Sequence, residues 1–127
     1  MGIPARPTDA ELEILTVLWT NGPSTVREVH EEINSRHPTQ YTTVLKQLQI
    51  MANKNLVQRD EQQRAHVYKA AKPREWTQRQ IAGDLLQRAF GGSARSMLMG
   101  ALSARKASRD ELAEIRQLLD EYEKETR

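Results

Sequence analysis

The fold is decided by residues 36–74, which read RHPTQYTTVLKQLQIMANKNLVQRDEQQRAHVYKAAKPR. In the first half of this stretch, apolar residues recur at the spacing of a helix: Val44, Leu45, Leu48 and Met51. The pattern predicts a helix that is capped by Thr39 and ends at Asn53–Asn55. Residues 56–59 and 64–69 are typical of two strands joined by a short polar turn. The stretch therefore predicts a helix followed by a two-stranded hairpin.

The same stretch holds most of the positive charge of the chain. It contains eight Lys or Arg and two acids, a local charge of +6, whereas the net charge of all 127 residues is +2. The residues before it carry two bases and six acids, and the residues after it carry nine of each. A basic face on a helix and a ribbon is typical of proteins that bind a phosphate backbone.

Two short helices are predicted before this stretch. Thr8 or Asp9 caps the first, which ends at Asn21-Gly22-Pro23 because glycine permits a left-handed cap and proline cannot continue a helix. Ser24 or Thr25 caps the second. Its buried stripe consists of Val26, Val29 and Ile33. Three short helices followed by a two-stranded wing make a winged helix-turn-helix, a mainly α fold with a small β-hairpin wing.

Three more helices are predicted in the C-terminal third. The first occupies residues 75–90 and the second residues 93–103. Ser108 caps the last, with Glu111 placed to close a capping box. The apolar stripe of the last helix is Leu112, Ile115, Leu118, Leu119 and Tyr122. It either packs on its own winged helix or is covered by a second copy of the chain.

In a winged helix-turn-helix, the third helix lies in the major groove and the wing contacts the backbone. Hydroxyl and N–H groups at the helix start bind phosphate, and longer side chains one turn later reach base edges. The predicted recognition-helix contacts are Gln40, Tyr41, Thr42, Thr43, Lys46 and Gln47. The predicted wing and backbone contacts are Ser24, Thr25, Arg27, Arg59, Arg64 and His66. Two roles stay open for Tyr41: its ring packs, or its hydroxyl reaches a phosphate.

Motifs spread over residues 8–120 are more specific than this pattern. They include Thr8-Asp9-Ala10-Glu11-Leu12, Tyr41-Thr42-Thr43-Val44-Leu45, Lys54-Asn55-Leu56-Val57, Arg64-Ala65-His66-Val67-Tyr68 and Phe90-Gly91-Gly92. In this order they resemble the penicillinase-repressor (BlaI/MecI/CopY) family. The resemblance implies a homodimeric bacterial repressor whose winged helices each bind half of a dyad-symmetric operator, while the C-terminal helices form the dimer. The dimer residues that follow from it are Leu85, Met97, Leu98, Leu102, Leu112, Ile115, Leu118 and Leu119.

A division into two domains is expected from the same features. Residues 1–73 would form a winged-helix DNA-binding domain, with a flexible tail at residues 1–7. Residues 74–127 would form a helical dimerisation domain.

The resemblance leaves the inducing signal open. In the antibiotic-responsive branch of the family, a membrane-bound sensor protease triggers cleavage between an Asn and a Phe, and such a protease is a candidate partner. At the corresponding position this chain has Gly100-Ala101, which puts cleavage at that bond in doubt. The copper-responsive branch uses a C-terminal cysteine metal hook, and this chain has no cysteine.

Composition and motif content argue against several other classes of protein. Without cysteine there is no disulfide framework, thiolate metal site or Cys nucleophile. His30, His37 and His66 lack metal-ligand spacing, so neither a metal nor another cofactor is expected. No catalytic constellation is present, which argues against an enzyme. No apolar run approaches the ~20 residues that span a bilayer, and a cytoplasmic protein without membrane insertion is expected.

One alternative function comes from a different class. The basic face could belong to a winged-helix protein-interaction module that binds an acidic protein partner. Enrichment of a dyad-symmetric site from random duplexes distinguishes the repressor from this module.

Overall fold

The computed structural model describes residues 6–62 and 64–126. Within them the chain forms six helices and three short strands. The first half contains α1 (Asp9–Asn21), β1 (Ser24–Thr25), α2 (Val26–Arg36), α3 (Tyr41–Asn53), β2 (Val57–Asp60) and β3 (Val67–Ala70). The second half contains α4 (Arg74–Arg88), α5 (Ala94–Ala104) and α6 (Arg109–Glu125). This order confirms the mainly α fold with a small β wing that the sequence predicts.

Capping boxes begin α1 and α2. Thr8 Oγ1 accepts a hydrogen bond from the Glu11 N–H at 3.2 Å, and Glu11 Oε1 accepts one from the Thr8 N–H at 2.9 Å. Thr25 and Glu28 make the same two bonds at the start of α2, at 3.1 and 2.8 Å. Each box satisfies N–H groups that a helix start would otherwise leave unpaired. In both helices the threonine is the cap, and the neighbouring residue that the sequence also offers is not.

The start of α3 differs from the prediction. Its N-cap is Gln40 rather than Thr39, and the Gln40 side chain makes no capping hydrogen bond. The prediction of Thr39 as the cap is wrong because its hydroxyl donates to the His37 carbonyl oxygen, at 3.0 Å, within the turn itself. After α3, Asn55 adopts φ 63°, a left-handed conformation that asparagine tolerates better than most residues.

The sheet has three antiparallel strands in the order β1-β3-β2, whereas the sequence predicts two strands. Ser24 pairs with Tyr68 and Thr25 with Val67, so the chain before α2 is joined to the wing. A strand of two residues is too short to show an alternating pattern, which explains why sequence periodicity misses it. The strand predicted to begin at Arg64 begins at Val67, and residues 64–66 lie in the turn between β2 and β3.

The core of the winged helix takes one apolar stripe from each of its three helices and is closed by the sheet. Its buried side chains are Ile14, Leu15, Val17, Leu18, Val26, Val29, Ile33, Val44, Leu48, Met51, Val57 and Tyr68. One acid is buried beside them: Glu11 is 1 % exposed, and its Oε2 accepts a hydrogen bond from Lys54 Nζ at 2.9 Å. This ion pair connects α1 to the residue that directly follows α3.

Contacts around two tryptophans fix the start of α4 against α1. Trp19 Nε1 donates to the Lys72 carbonyl oxygen at 2.9 Å, and the Arg74 guanidinium lies 5.8 Å from the centre of the Trp19 ring. The Lys72 ammonium lies 5.3 Å from the centre of the Trp76 ring. Cations over aromatic faces are attracted by the ring quadrupole, so these contacts hold α4 where it leaves the wing.

The chain divides into two compact units, Met1–Ala82 and Gly83–Arg127. The division falls within α4, whereas the sequence places the domain boundary before that helix, at Pro73. In the second unit, neither α5 nor α6 contains a buried residue. The Ser108 hydroxyl begins α6 by accepting a hydrogen bond from the Glu111 N–H at 3.0 Å, which is one of the two bonds of the predicted capping box.

Candidate nucleic-acid interface

An open groove of about 430 Å³ brings together three parts of the chain that are distant in sequence. The start of α2 contributes Thr25, Val26 and Arg27; the first turns of α3 contribute Tyr41 and Leu45; the turn between β2 and β3 contributes Arg64, Ala65 and His66. Of its lining residues, Val26 is buried and Leu45 half-buried, whereas Arg27, Arg64 and His66 are exposed. Five of the predicted contacts therefore lie at one site: Thr25, Arg27, Tyr41, Arg64 and His66.

The outward face of α3 continues from this groove. The predicted contacts Gln40, Thr42, Thr43 and Lys46 are exposed, whereas Gln47 is half-buried and turns toward the core side. Two exposed residues on the same face were not among the predicted contacts, Gln49 and Ile50, and Ile50 is 37 % exposed. Helical spacing from Thr43 and Lys46 is the signal that places Ile50 on this face. The sequence of α3 contains no acid, so nothing along the helix repels a phosphate.

Much of the positive charge of residues 36–74 is neutralised within the protein. Three of its cations form ion pairs: Arg36 with Glu32, Lys54 with Glu11 and Arg59 with Glu61. Lys72 and Arg74 lie against tryptophan rings. Within the part of the chain that the structure describes, the remaining cations, Lys46, Arg64 and Lys69, have no ion-pair partner. Of these three, Lys46 lies on α3 and Arg64 lies in the groove.

Two predicted backbone contacts have other partners in this structure. Ser24 is 4 % exposed, and its hydroxyl donates to the Gly22 carbonyl oxygen at 2.8 Å, so its side chain is not available to a phosphate. Arg59 lies 2.6 Å from a Glu61 carboxylate oxygen. The Tyr68 hydroxyl and the Glu61 carboxylate raise the pKa of Arg59, because both stabilise its charged form. A phosphate would have to compete with Glu61 for this guanidinium.

A second surface, on α4–α6, is apolar rather than cationic. Of the predicted dimer residues, five are exposed by more than a third: Leu85, Leu98, Leu102, Leu118 and Leu119. Met97, Leu112 and Ile115 are half-buried. Met99 and Tyr122, at 52 % and 62 % exposure, add to this surface although they were not among the predicted dimer residues. Exposed apolar side chains at this density are typical of interaction surfaces.

Residues 6–62 and 64–126 contain neither a metal-binding cluster nor a membrane-spanning helix. No three His, Cys, Asp or Glu side chains in these ranges are grouped so that they could hold a metal ion. None of the helices described there is both long and apolar enough to cross a membrane.

The sequence matches known proteins over nearly its whole length. A family model described as penicillinase repressor matches residues 7–121. The chain is also 34 % identical, over 119 residues, to a protein of Mycobacterium tuberculosis (strain CDC 1551 / Oshkosh) named transcriptional regulator BlaI. The alignment covers 93 % of this chain and 86 % of that protein. The protein of the same name from strain ATCC 25618 / H37Rv matches with the same identity and coverage.

Proposed function

This chain belongs to the penicillinase repressor family of transcriptional regulators, and from that premise we propose that it binds a dyad-symmetric DNA operator as a homodimer. The observation that carries the proposal is the groove in which α2, α3 and the wing turn meet. Its residues come from the three parts of a winged helix that contact a duplex. The groove adjoins the acid-free, exposed face of α3.

In this proposal α3 lies in the major groove. Thr42 and Thr43 are exposed in its first turn, where hydroxyl and N–H groups suit a phosphate. Lys46 follows one turn later and is free of ion pairs within the described residues, so its ammonium can reach a base edge. Ile50 is the exposed apolar residue of this face and suits a thymine methyl group.

The groove beside α3 suits one strand of the DNA backbone. Arg27 and Arg64 lie on different elements at its edges, and Val26 and Leu45 supply an apolar floor on which a deoxyribose can rest. Arg27 is 82 % exposed at its side chain, and among the described residues it pairs only with Glu31, which is 63 % exposed, at 3.2 Å. An ion pair this exposed is weak, so a phosphate can displace the carboxylate.

Dimerisation in this proposal uses α5 and α6. Neither helix buries a side chain in the protomer, yet α6 exposes Leu118 and Leu119 by 52 % and 54 %. Each Leu or Ile that becomes fully buried between two copies contributes roughly 1.5–3 kcal/mol. A two-fold symmetric pair buries the same stripe twice, and it presents two winged helices to the two halves of a dyad.

A membrane-bound sensor protease is a proposed partner of this chain, as it is for the antibiotic-responsive branch of the family. Gly100 and Ala101 lie within α5, where the backbone is helical rather than extended. We therefore do not expect cleavage of the Gly100–Ala101 peptide bond. A protease that inactivates this protein would cleave at another position.

Selection from a pool of random duplexes tests the function as a whole. We expect enrichment of a site with dyad symmetry, because two identical subunits read two identical half-sites. Absence of enrichment at low salt, where electrostatic attraction to DNA is strongest, would contradict DNA recognition.

Replacing Arg64 by Ala tests the wing turn. We expect the slope of log affinity against log salt to fall by about one unit, with little change in sequence preference, because a phosphate contact releases counterions but reads no base. Fluorescence anisotropy at a series of salt concentrations measures this slope. Lys69→Ala is the matched control, since Lys69 lines a separate hollow with Gln58 and Asp60. An equal change in both variants would mean that only the net charge matters.

Replacing Lys46 by Ala tests the recognition helix. We expect operator affinity to fall about tenfold, with a smaller loss for unrelated duplexes, because a base contact contributes to discrimination. Titrations with the selected operator and with a scrambled duplex measure both values. A loss that is equal for the two duplexes would assign Lys46 to the backbone instead.

A further inference from the structure

The first turn of α3 is held by side chains of α2 rather than by a cap of its own. Gln40, the N-cap, offers no side-chain hydrogen bond to the helix. Thr39, directly before it, forms hydrogen bonds with α2 side chains through both its N–H and its carbonyl oxygen. The His30 ring donates from Nε2 to the Thr39 carbonyl oxygen at 2.7 Å, and the Asn34 Oδ1 accepts from the Thr39 N–H at 2.9 Å.

His30 and Asn34 are four residues apart on α2 and so lie on the same face of that helix. His30 makes a second contact: its ring meets the ring of Tyr41 edge to face, with centroids 5.7 Å apart at an angle of 76°. Tyr41 is the first residue of α3 and lines the groove described above. The two α2 side chains thus fix both the chain direction into α3 and the ring at its start.

We propose that His30 and Asn34 are positioning residues that set the orientation of the recognition helix and thereby its sequence specificity. This inference rests on the proposed function, because it assumes that the exposed face of α3 reads DNA. Specific contacts require side chains on α3 to meet base edges in fixed geometry, whereas non-specific binding depends on charge. Loss of the hydrogen bonds from His30 and Asn34 to Thr39 should therefore reduce the affinity for the specific operator. The affinity for non-specific DNA should stay nearly the same.

The test compares His30→Leu, Asn34→Ala and His30→Gln with the wild type. Ser35→Ala is the matched control, since among the described residues the Ser35 hydroxyl bonds only to the carbonyl oxygen of Glu32, within α2. We expect His30→Leu and Asn34→Ala each to lower operator affinity about three- to tenfold, the effect of one lost hydrogen bond. Affinity for a scrambled duplex should stay the same. In His30→Gln, the amide N–H can donate to Thr39 in place of the ring, and we expect operator affinity to recover.

Amide hydrogen exchange supplies a readout that does not involve DNA. In Asn34→Ala the Thr39 N–H loses its acceptor, so its exchange should accelerate more than that of buried amides in the core. Should His30→Leu fail to fold, the Asn34→Ala and His30→Gln variants decide the question. A wild-type ratio of operator to scrambled affinity in both His30→Leu and Asn34→Ala would overturn the positioning role. A wild type that prefers no duplex would overturn the proposed function itself, which keeps the two failures distinct.

Discussion

A double variant, Leu118→Glu with Leu119→Glu, is expected to be monomeric and to lose operator affinity by about two to four orders of magnitude. Both leucines are more than half exposed in the protomer, at 52 % and 54 %, so charge there is tolerated by the single chain. In the proposed dimer the same positions are buried, and a buried carboxylate without a partner is strongly unfavourable. Each winged helix would then bind its half-site alone, without the effective concentration that its linked copy provides.

Sedimentation equilibrium and anisotropy titrations with a full operator measure the two effects. Ala113→Glu with Gln117→Glu is the matched control, because it adds the same charge to exposed positions on the opposite side of α6. We expect this control to remain dimeric. A dimer in the Leu118→Glu, Leu119→Glu variant would move the interface away from the α6 stripe.

Replacing Lys54 by Met is expected to destabilise the fold by about 2–3 kcal/mol at neutral pH. This is less than the penalty for breaking a fully buried pair, because the Lys54 side chain is itself 37 % exposed. Glu11, in contrast, has almost no access to solvent, because it is 1 % exposed. Without Lys54, its Oε2 loses its ammonium partner. Methionine keeps much of the aliphatic length of the lysine, so the loss of charge dominates the change.

The pKa of Glu11 predicts in which direction the loss of stability in Lys54→Met changes with pH. Burial raises the pKa of Glu11, but the Lys54 ammonium and the Thr8 N–H outweigh it, and the pKa lies below its usual value. In the wild type, ionised Glu11 stabilises the fold at pH values above its unfolded pKa of about 4.3. This stabilisation is lost as the pH falls through the lower pKa of Glu11 in the folded state. In Lys54→Met the ammonium no longer lowers the pKa of Glu11, so this pKa rises and the difference in stability from wild type should shrink as acid protonates Glu11.

Urea unfolding at fixed protein concentration, from about pH 7 down to about pH 3, measures this difference across the unfolded pKa and below it. Lys46→Met is the control, since Lys46 is exposed and has no ion-pair partner among the described residues. We expect the double variant Glu11→Leu, Lys54→Met to recover much of the lost stability, because it removes both charges together. A Lys54→Met penalty that is independent of pH would show that packing, not charge, is the cause.

Periodicity and capping chemistry predicted most of the fold. The stripe Val26, Val29 and Ile33 is buried as expected, and Gly22, at φ 82°, follows the last residue of α1. These signals are local, which is why sequence reveals them. The third strand escaped prediction because Ser24 and Thr25 are a strand only through their pairing with β3, far along the chain.

The candidate interface was harder to predict from the sequence. Whether a charged side chain is free to bind a ligand depends on neighbours that are distant in the sequence. Lys54 counts toward the basic stretch in the sequence, but in the folded chain it is paired with the buried Glu11 of α1. Arg59 is likewise engaged by Glu61. Residue type and position predicted Lys46 and Arg64 as DNA contacts in the same way as Arg59. Only the folded chain shows that, among the described residues, Lys46 and Arg64 have no ion-pair partner while Arg59 has one.

In the proposed dimer, the absence of buried side chains in α5 and α6 would make the cellular concentration of this protein a determinant of its activity. If these helices become stable only when two copies meet, then below the dissociation constant the concentration of active species rises with the square of the amount of chain. A cell that dilutes the protein by growth would therefore release its target genes steeply rather than in proportion.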